Sequence, residues 1–172
     1  MSNYLKNKKC YLSGPIQFAI EEYWRSQPTF VLQESFGVDV FDPFADEKQK
    51  WTDEIKLAKN KDDIDSLINI AKQFVRKDLG MVDRSDFLIA YIPVGIQTVG
   101  TVHEIINSNN AKKPTLLVTN SEKVSDIPLW YFGFIPKDYM FAGWTSLYEY
   151  LQKIHDGKIL DDDRWHLPCG II

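Results

Sequence analysis

The sequence predicts an α/β fold, a three-layer sandwich in which helices cover both faces of a doubly wound, mainly parallel five-stranded sheet. Short apolar segments alternate along the chain with longer segments of helical periodicity, separated by glycine, proline or polar turns. Residues 87–92 (FLIAYI) are six consecutive apolar residues, which is typical of a strand buried on both faces of a parallel sheet. Such sheets have right-handed crossovers and bind ligands beyond the carboxyl ends of their strands.

The first half of the chain contains two predicted strands and one polar excursion. Residues 9–13 (KCYLS) are a short apolar run closed by a Gly-Pro turn, and they predict the first strand. Residues 18–32 have a helical pattern, and residues 36–41 (FGVDVF) alternate as a second strand that an Asp-Pro pair stops. The polar segment 45–63 predicts a helix-containing excursion over the ligand-binding end of the sheet.

The clearest helical pattern covers residues 64–82, where apolar residues recur every three or four positions. They define a face that we expect to lie on the core, formed by Ile64, Leu67, Ile68, Ala71, Phe74, Val75 and Val82. The remaining predicted elements are a buried strand at 87–92, a helix at 99–109, a buried strand at 114–119, an edge strand at 139–142 and a helix from 145 to about 155. Five strands in this alternation indicate a flavodoxin-like or Rossmann-like sandwich.

The composition is that of a soluble globular protein. The 172 residues fit one domain, in which 156–172 form a C-terminal tail that we expect to dock through Trp165. No apolar stretch is long enough to span a membrane, and no secretory signal is visible. The two widely spaced cysteines favour a reduced, cytoplasmic protein. A net charge of −4 argues against binding of polymeric nucleic acid.

Asp78 is the first candidate functional residue. It continues the apolar face of the 64–82 helix, being three residues after Val75 and four before Val82. A carboxylate on that face must be hydrogen-bonded or neutral, because burying it alone is costly. It either ties down a neighbouring loop or points into a pocket under the strand ends.

Glu104 is the second candidate, just inside the helix that follows a loop with Gly100. A doubly wound sheet exposes functional groups at this position. However, Thr101-Val102-His103-Glu104 also fits the capping-box pattern, in which the glutamate returns a hydrogen bond to the helix start. By its local pattern alone, the segment favours the cap over catalysis.

Other polar residues form no recognisable site. The three histidines lack partners at ligand or triad spacing, and the 161–163 aspartate run is typical of a solvated surface. Gly14 and Gly100 form neither a GxGxxG motif nor a phosphate-binding loop. We therefore expect neither a cofactor nor a metal.

The order of the motifs indicates a family. Segments 11–15 (YLSGP), 42–43 (DP), 77–79 (KDL) with 85–90 (SDFLIA), and 99–104 (VGTVHE) resemble the nucleoside 2-deoxyribosyltransferase family. The resemblance runs from about Cys10 to Thr119, which is roughly two-thirds of the chain. Each motif is short, but their common order is fairly specific.

The resemblance implies roles for individual residues. Glu104 matches the nucleophile that attacks the anomeric carbon and holds the sugar as a glycosyl ester. Asp78 matches the aspartate that places and protonates the departing base, and Tyr11 matches the tyrosine that orients the nucleophile. Asp86 matches a motif aspartate whose role we expect to be largely structural. The remaining expected substrate contacts are Ser13, Gly14, Pro15, Asp42, Trp51, Thr98, Gly100 and Thr101.

One position departs from the transferase pattern. Transferases of this family usually carry an aspartate six residues before the nucleophile, where this chain has Thr98. Related enzymes that hydrolyse nucleoside 5′-monophosphates have a hydroxyl residue there, in contact with the phosphate. The sequence therefore leaves transferase and nucleotide N-glycosidase open as alternatives.

The expected partners are a small nucleoside or nucleotide and further copies of the chain. The resemblance implies a homodimer or larger homo-oligomer, with the aromatic segment 130–134 (WYFGF) as its contact. Trp51 is predicted to lie over the strand ends, either as a lid that stacks on the base or as a packing residue. A nucleotide-binding module without catalysis and a structural protein are the competing classes.

Overall fold

The computed structural model describes residues 3–16, 24–43, 50–96 and 98–166, with the backbone alone for 50–52. Five strands form one sheet in the order β2-β1-β3-β4-β5, and all neighbouring pairs are parallel. The strands are Lys9–Ser13 (β1), Asp39–Phe41 (β2), Phe87–Tyr91 (β3), Thr115–Thr119 (β4) and Met140–Ala142 (β5). The helices are Ser26–Phe36 (α1), Lys50–Asn60 (α2), Ile64–Arg84 (α3), Val99–Asn110 (α4) and Gly143–His155 (α5).

Helices cover both faces of this sheet, which confirms the predicted sandwich. Helices α1 and α5 pack together, and α3 packs against α4. The order 2-1-3-4-5 is the flavodoxin-like one, with a switch point between β1 and β3 where the chain leaves the two neighbouring strands in opposite directions. Strands β1, β3 and β4 are almost entirely buried, as their apolar sequences predict.

The boundary between α1 and β2 differs from the prediction. The helix ends at Phe36, and the second strand begins at Asp39 instead of residue 36. Gly37 ends the helix in a left-handed conformation with φ of 65°, and its N–H donates to the Gln33 carbonyl over 3.0 Å. The alternation of residues 36–41 therefore spans a helix end and a strand. The helix begins at Ser26, so the prediction was wrong for Trp24 and Arg25, and its start at residue 18 lies outside the described residues.

The apolar face predicted for α3 is only partly buried. Met81 and Val82 lie in the core, but Ile64, Ile68 and Val75 are exposed, as is Phe74 at the margin of this face. The reason is length: 21 residues of helix reach about 31 Å, whereas a five-residue strand reaches about 17 Å. The amino-terminal turns of α3 project beyond the sheet and pack against α2.

The ends of α3 are held by side chains. At its start, Asp63 accepts a hydrogen bond from the Ser66 N–H over 3.0 Å, which is an ordinary N-cap. At its end, the Lys113 ammonium donates to the carbonyls of Val82, Asp83 and Ser85 over 2.6 to 2.8 Å. A cation at these carbonyls also interacts favourably with the helix dipole.

The tail is docked as far as residue 166. Trp165 is buried, its ring centroid lies 5.0 Å from that of Phe87, and its indole N–H donates to the Tyr150 hydroxyl over 2.9 Å. Arg164 donates to the Asn109 side chain over 2.8 Å at the end of α4. The other predicted element bounds differ from the observed ones by at most two residues. Within the described ranges, no helix combines the length and apolar content needed to cross a bilayer.

Candidate active site

The candidate site lies at the carboxyl ends of β1 and β3, beside the switch point of the sheet. Tyr11 and Ser13 project from one face of β1 because alternate strand residues share a face. Helix α4 begins after the β3 loop and carries Glu104 on its buried side. The topology alone therefore brings these three residues together.

Glu104 is held at both carboxylate oxygens. The Tyr11 hydroxyl donates to Oε1 over 2.8 Å, and the Ser13 hydroxyl donates to Oε2. The Glu104 side chain is buried, with 8% of its surface exposed. The capping-box interpretation is wrong, because the N-cap residue of α4 is Thr98 and the carboxylate faces β1. Glu104 is oriented as a group in a pocket and not as a helix cap.

Burial raises the pKa of Glu104 above its ordinary value, because the charged form loses water. The two hydroxyl donors oppose this shift, as do the nearby charges of Arg25 and His103. Tyr11 remains neutral, since burial and the adjacent carboxylates raise the pKa of its phenol. It is therefore a hydrogen-bond donor across the physiological range.

Asp78 is half-buried on α3. Its pKa is raised to about 7, first by burial and then by the charge of Glu104, against the lowering effect of Lys77 and Arg25. The carboxyl group is therefore partly protonated near neutrality. The two carboxyls interact, so their titrations are coupled.

Arg25 was not found by sequence reasoning, although it is central to the site. It immediately precedes α1 and is 2% exposed. Its guanidinium donates to three carbonyls at the end of β1 and in the loop after it: Nε to Leu12 over 3.2 Å, Nη2 to Gly14 over 2.9 Å and Nη1 to Pro15 over 3.4 Å. Arginine is usually exposed, and neither its periodicity nor its neighbours in sequence indicate this burial.

Asp42 completes the surroundings of Arg25. It follows β2, and its Oδ1 lies 3.7 Å from Nε of Arg25. The guanidinium also lies over the Trp24 ring, 4.2 Å from its centroid. The structure thus places Asp42, an expected substrate contact, as a partner of Arg25.

A shallow recess lies at the start of α4. Thr101 lines it, and Thr101 lies three residues before Glu104 and hence on the same face of α4. The Thr98 and Thr101 hydroxyls are hydrogen-bonded to each other. The full lining is Pro15, Tyr91, Ile92, Ile96, Thr98, Thr101 and Tyr131. A lining that combines apolar and hydroxyl-bearing side chains suits a ligand that is partly polar.

Aromatic rings support the first loop. Trp24, Tyr91 and Trp144 have centroids 4.9 to 5.9 Å apart, and the Trp24 indole donates to the Pro15 carbonyl over 3.0 Å. A Cβ on Gly14 would lie 2.5 Å from the Trp24 ring, and Gly14 has φ of 155°. Glycine is needed there because the tryptophan packs on its backbone.

Three predicted contacts do not join this arrangement. Asp86 lies at the amino end of β3, opposite the site, where it accepts from the Lys9 N–H over 2.7 Å. This placement removes Asp86 from the substrate contacts and agrees with its expected structural role. Gly100 lies on the exposed first turn of α4, with open space where a Cβ would be. Trp51 is in α2, but its side chain lies outside the described residues. Among the described residues no group of His, Cys, Asp and Glu could hold a metal ion.

Comparison with solved structures identifies a similar chain, a 2-deoxyribosyltransferase from the psychrotolerant bacterium Bacillus psychrosaccharolyticus. The TM-score is 0.52 and the identity 18%, over 74% of this chain and 82% of the other. The chain shares the fold of a 2-deoxyribosyltransferase. At this identity the similarity concerns the fold and not the activity. No protein-family model matches the sequence, and no curated protein matches it.

The two carboxyls of the site lie in unlike environments. Glu104 has hydroxyl donors on both oxygens, which favour the charged form. Asp78 lacks comparable donors among the described contacts and has a pKa of about 7. Two carboxyls in such unlike environments suit a nucleophile and a general acid.

Proposed function

We propose that the chain cleaves the N-glycosidic bond of (deoxy)nucleosides through a covalent glycosyl–Glu104 intermediate and transfers the 2-deoxyribosyl group to another nucleobase. The observation that carries the proposal is Glu104, buried and held by Tyr11 and Ser13 beside the protonatable Asp78. The shared fold with a 2-deoxyribosyltransferase supports the same reading.

In the first half-reaction a Glu104 oxygen forms an ester bond to the anomeric carbon. The bond from that carbon to the base nitrogen breaks, and its electron pair stays with the base. Asp78 donates its proton to the departing base, so that no free anion is released. A carboxylate suits this step because the transition state has oxocarbenium character.

In the second half-reaction an incoming base attacks the anomeric carbon. Its nitrogen forms the new bond, and the ester bond to Glu104 breaks with the electron pair returning to the carboxylate. The proton of the incoming base passes to Asp78, which restores the starting state. The hydroxyls of Tyr11 and Ser13 hold the carboxylate in place during both exchanges.

A second candidate is hydrolysis of nucleoside 5′-monophosphates, in which water replaces the second base. The Thr98 and Thr101 hydroxyls favour it, because they line the recess in the first turn of α4. Hydroxyls and the N–H groups of a helix start are common phosphate donors. Replacing Thr98 by Val tests this candidate: activity on a monophosphate should fall while activity on the nucleoside stays.

The decisive experiment incubates the protein with deoxynucleosides and their 5′-monophosphates, with and without a second base. Exchange that requires the second base indicates a transferase, and base release without it indicates a hydrolase. In intact-mass measurements, the wild type should gain the mass of the sugar, and Glu104→Gln should not. Glu149→Gln, on the exposed side of α5, is the matched control. The proposal fails if no base is released, or if Glu104→Gln releases base at the wild-type rate. A nucleotide-binding module without catalysis would then be the remaining alternative.

The proposed assembly is a homodimer or larger homo-oligomer. Leu129 and Trp130 are 85% and 79% exposed and flank Tyr131, which lines the recess. Exposed apolar side chains at a site mouth are typical of a protein contact. A double change of Leu129 and Trp130 to Ser should reduce the mass measured by light scattering. A wild-type monomer at micromolar concentration would contradict the proposal.

A further inference from the structure

The first loop is built around a buried cation. Arg25 is 2% exposed, and its guanidinium donates to the Leu12, Gly14 and Pro15 carbonyls. These carbonyls flank Ser13, whose hydroxyl bonds Glu104. The fork geometry of a guanidinium can serve several acceptors at once, which an ammonium on a flexible stem does less well. The position of the Ser13 hydroxyl therefore depends on Arg25.

The same cation lies near the reacting carboxyls. Its charge lowers the pKa of Glu104, of Asp78 and of Tyr11. A buried charge needs an opposite charge, and Asp42 at 3.7 Å supplies one. The buried guanidinium thus lies among three carboxyl groups, those of Asp42, Glu104 and Asp78.

We propose that Arg25 is a positioning residue of this site: its guanidinium fixes the turn that carries Ser13 and places a buried positive charge near the Glu104–Asp78 pair. The catalytic consequence rests on the proposed function, in which the nucleophile must be charged and the acid protonated. The placement of the charge is a property of the folded chain and can be measured without substrate.

The groups that face Glu104 come from four parts of the chain. They are Tyr11 and Ser13 on β1, Asp78 on α3, His103 on α4 and Arg25 before α1. The Tyr11 and Ser13 hydroxyls stabilise the charged form of Glu104 by hydrogen bonding. His103 is exposed, so solvent screens its charge. Lys77 acts on Asp78. Arg25 is the one of these cations that is buried, so its removal should change the titration of Glu104 most.

The test uses carbon-13 NMR of protein labelled in its glutamate carboxyls, titrated with pH. The Glu104 signal is assigned by its absence in Glu104→Gln. In Arg25→Gln the pKa of Glu104 should rise by about one unit or more, since a nearby opposite charge is lost. Arg25→Lys keeps the charge and should shift it less. Arg164→Gln, which removes a part-buried arginine at the far end of α4, should leave it unchanged.

Asp42→Asn should shift the pKa of Glu104 in the opposite direction, and it provides a second test if Arg25→Gln does not fold. It leaves the Arg25 charge without this carboxylate, so the pKa of Glu104 should fall. The proposal is overturned if Glu104 titrates in folded Arg25→Gln as in the wild type. It is also overturned if Arg25→Gln does not fold and Asp42→Asn leaves the titration unmoved.

Kinetics separate the two roles of Arg25. In Arg25→Gln the acidic limb of the kcat/KM profile for base release should move to higher pH with the Glu104 titration. In Arg25→Lys the limb should move less than in Arg25→Gln, while kcat still falls because the Ser13 turn is no longer held by the fork. If the wild type releases no base, the proposed function fails, while the NMR titration still tests the charge placement.

Discussion

The Tyr11 hydroxyl lies 2.8 Å from Oε1 of Glu104, across 93 positions of sequence, and both side chains are buried. The tyrosine stands on the first strand, and the glutamate stands on the helix after the third. Their contact exists because β1 and β3 are neighbours in the sheet although β2 lies between them in the chain. The nucleophile proposed for this site is therefore oriented by the sheet order itself.

Replacing Tyr11 by Phe removes the hydrogen bond to Glu104 and changes the side-chain volume little. We expect kcat/KM for base release to fall roughly tenfold to a hundredfold, the range for a hydrogen bond to a charged group. The acidic limb should move to higher pH, because the lost bond stabilised the charged form of Glu104. Tyr148→Phe, which loses a surface bond to Gln27, is the control and should keep the wild-type profile. An unmoved limb in Tyr11→Phe would show that the bond does not act on the carboxylate.

Replacing Asp78 by Asn removes the proposed acid. The wild-type rate should decline above pH about 7, where Asp78 loses its proton. In the variant the rate should fall by roughly 10² to 10⁴, the usual contribution of a general acid, and this alkaline limb should disappear. The profiles of kcat against pH measure both effects. The control Asp65→Asn, on the exposed start of the same helix, should keep the alkaline limb. If the alkaline limb is still present in Asp78→Asn, the proton belongs to another group.

Asp78→Asn should also raise the free energy of unfolding, by an amount that depends on pH. The folded-state pKa of Asp78 is about 7 against an ordinary value of 3.8, so the folded state binds more protons between these values. Wild-type stability therefore falls as pH rises through this window. Asn resembles the protonated form, so the advantage of Asp78→Asn should grow from pH 4 to 7 and then level off. Urea midpoints at several pH values test this; a constant difference contradicts it.

Gly14 and Gly100 should respond in opposite ways to replacement by alanine. Gly14→Ala places a Cβ 2.5 Å from the Trp24 ring at φ of 155°, so it should destabilise the protein and displace the Ser13 turn. Gly100→Ala meets open space in the first turn of α4 and should stabilise the protein by roughly 0.5 to 1 kcal/mol. Thermal unfolding compares the two. If Gly100→Ala also loses activity, the backbone at position 100 approaches the substrate, as the sequence motif suggests.

The sheet was predictable from the sequence because its central strands are buried on both faces. Residues 87–92 are apolar without interruption, residues 10–12 are the apolar centre of the first strand, and the strand ends are set by Gly, Pro and polar turns. The end of α1 was not predictable in this way, because Phe36 fits a helix end and a strand start equally well. The helix ends there because Gly37 adopts a left-handed conformation, which the local sequence pattern does not show.

The site was predictable only in part. Glu104 has a local pattern of a cap, and its bonds to β1 appear once the strands are ordered in space. Asp78 was placed on an apolar face, and the structure has it half-buried with a raised pKa, although Ile64 and Val75 on that face are exposed. Arg25 gave no signal, since its partners are backbone carbonyls that any sequence has.

The docking of Trp165 has a consequence for how the chain is made. Its ring packs on Phe87 at the start of the central strand and bonds to Tyr150 of α5. During synthesis the ribosome delivers Phe87 long before Trp165, so the emerging strand waits with one apolar end uncovered. A chain truncated before residue 165 should therefore be more open to proteases at this edge.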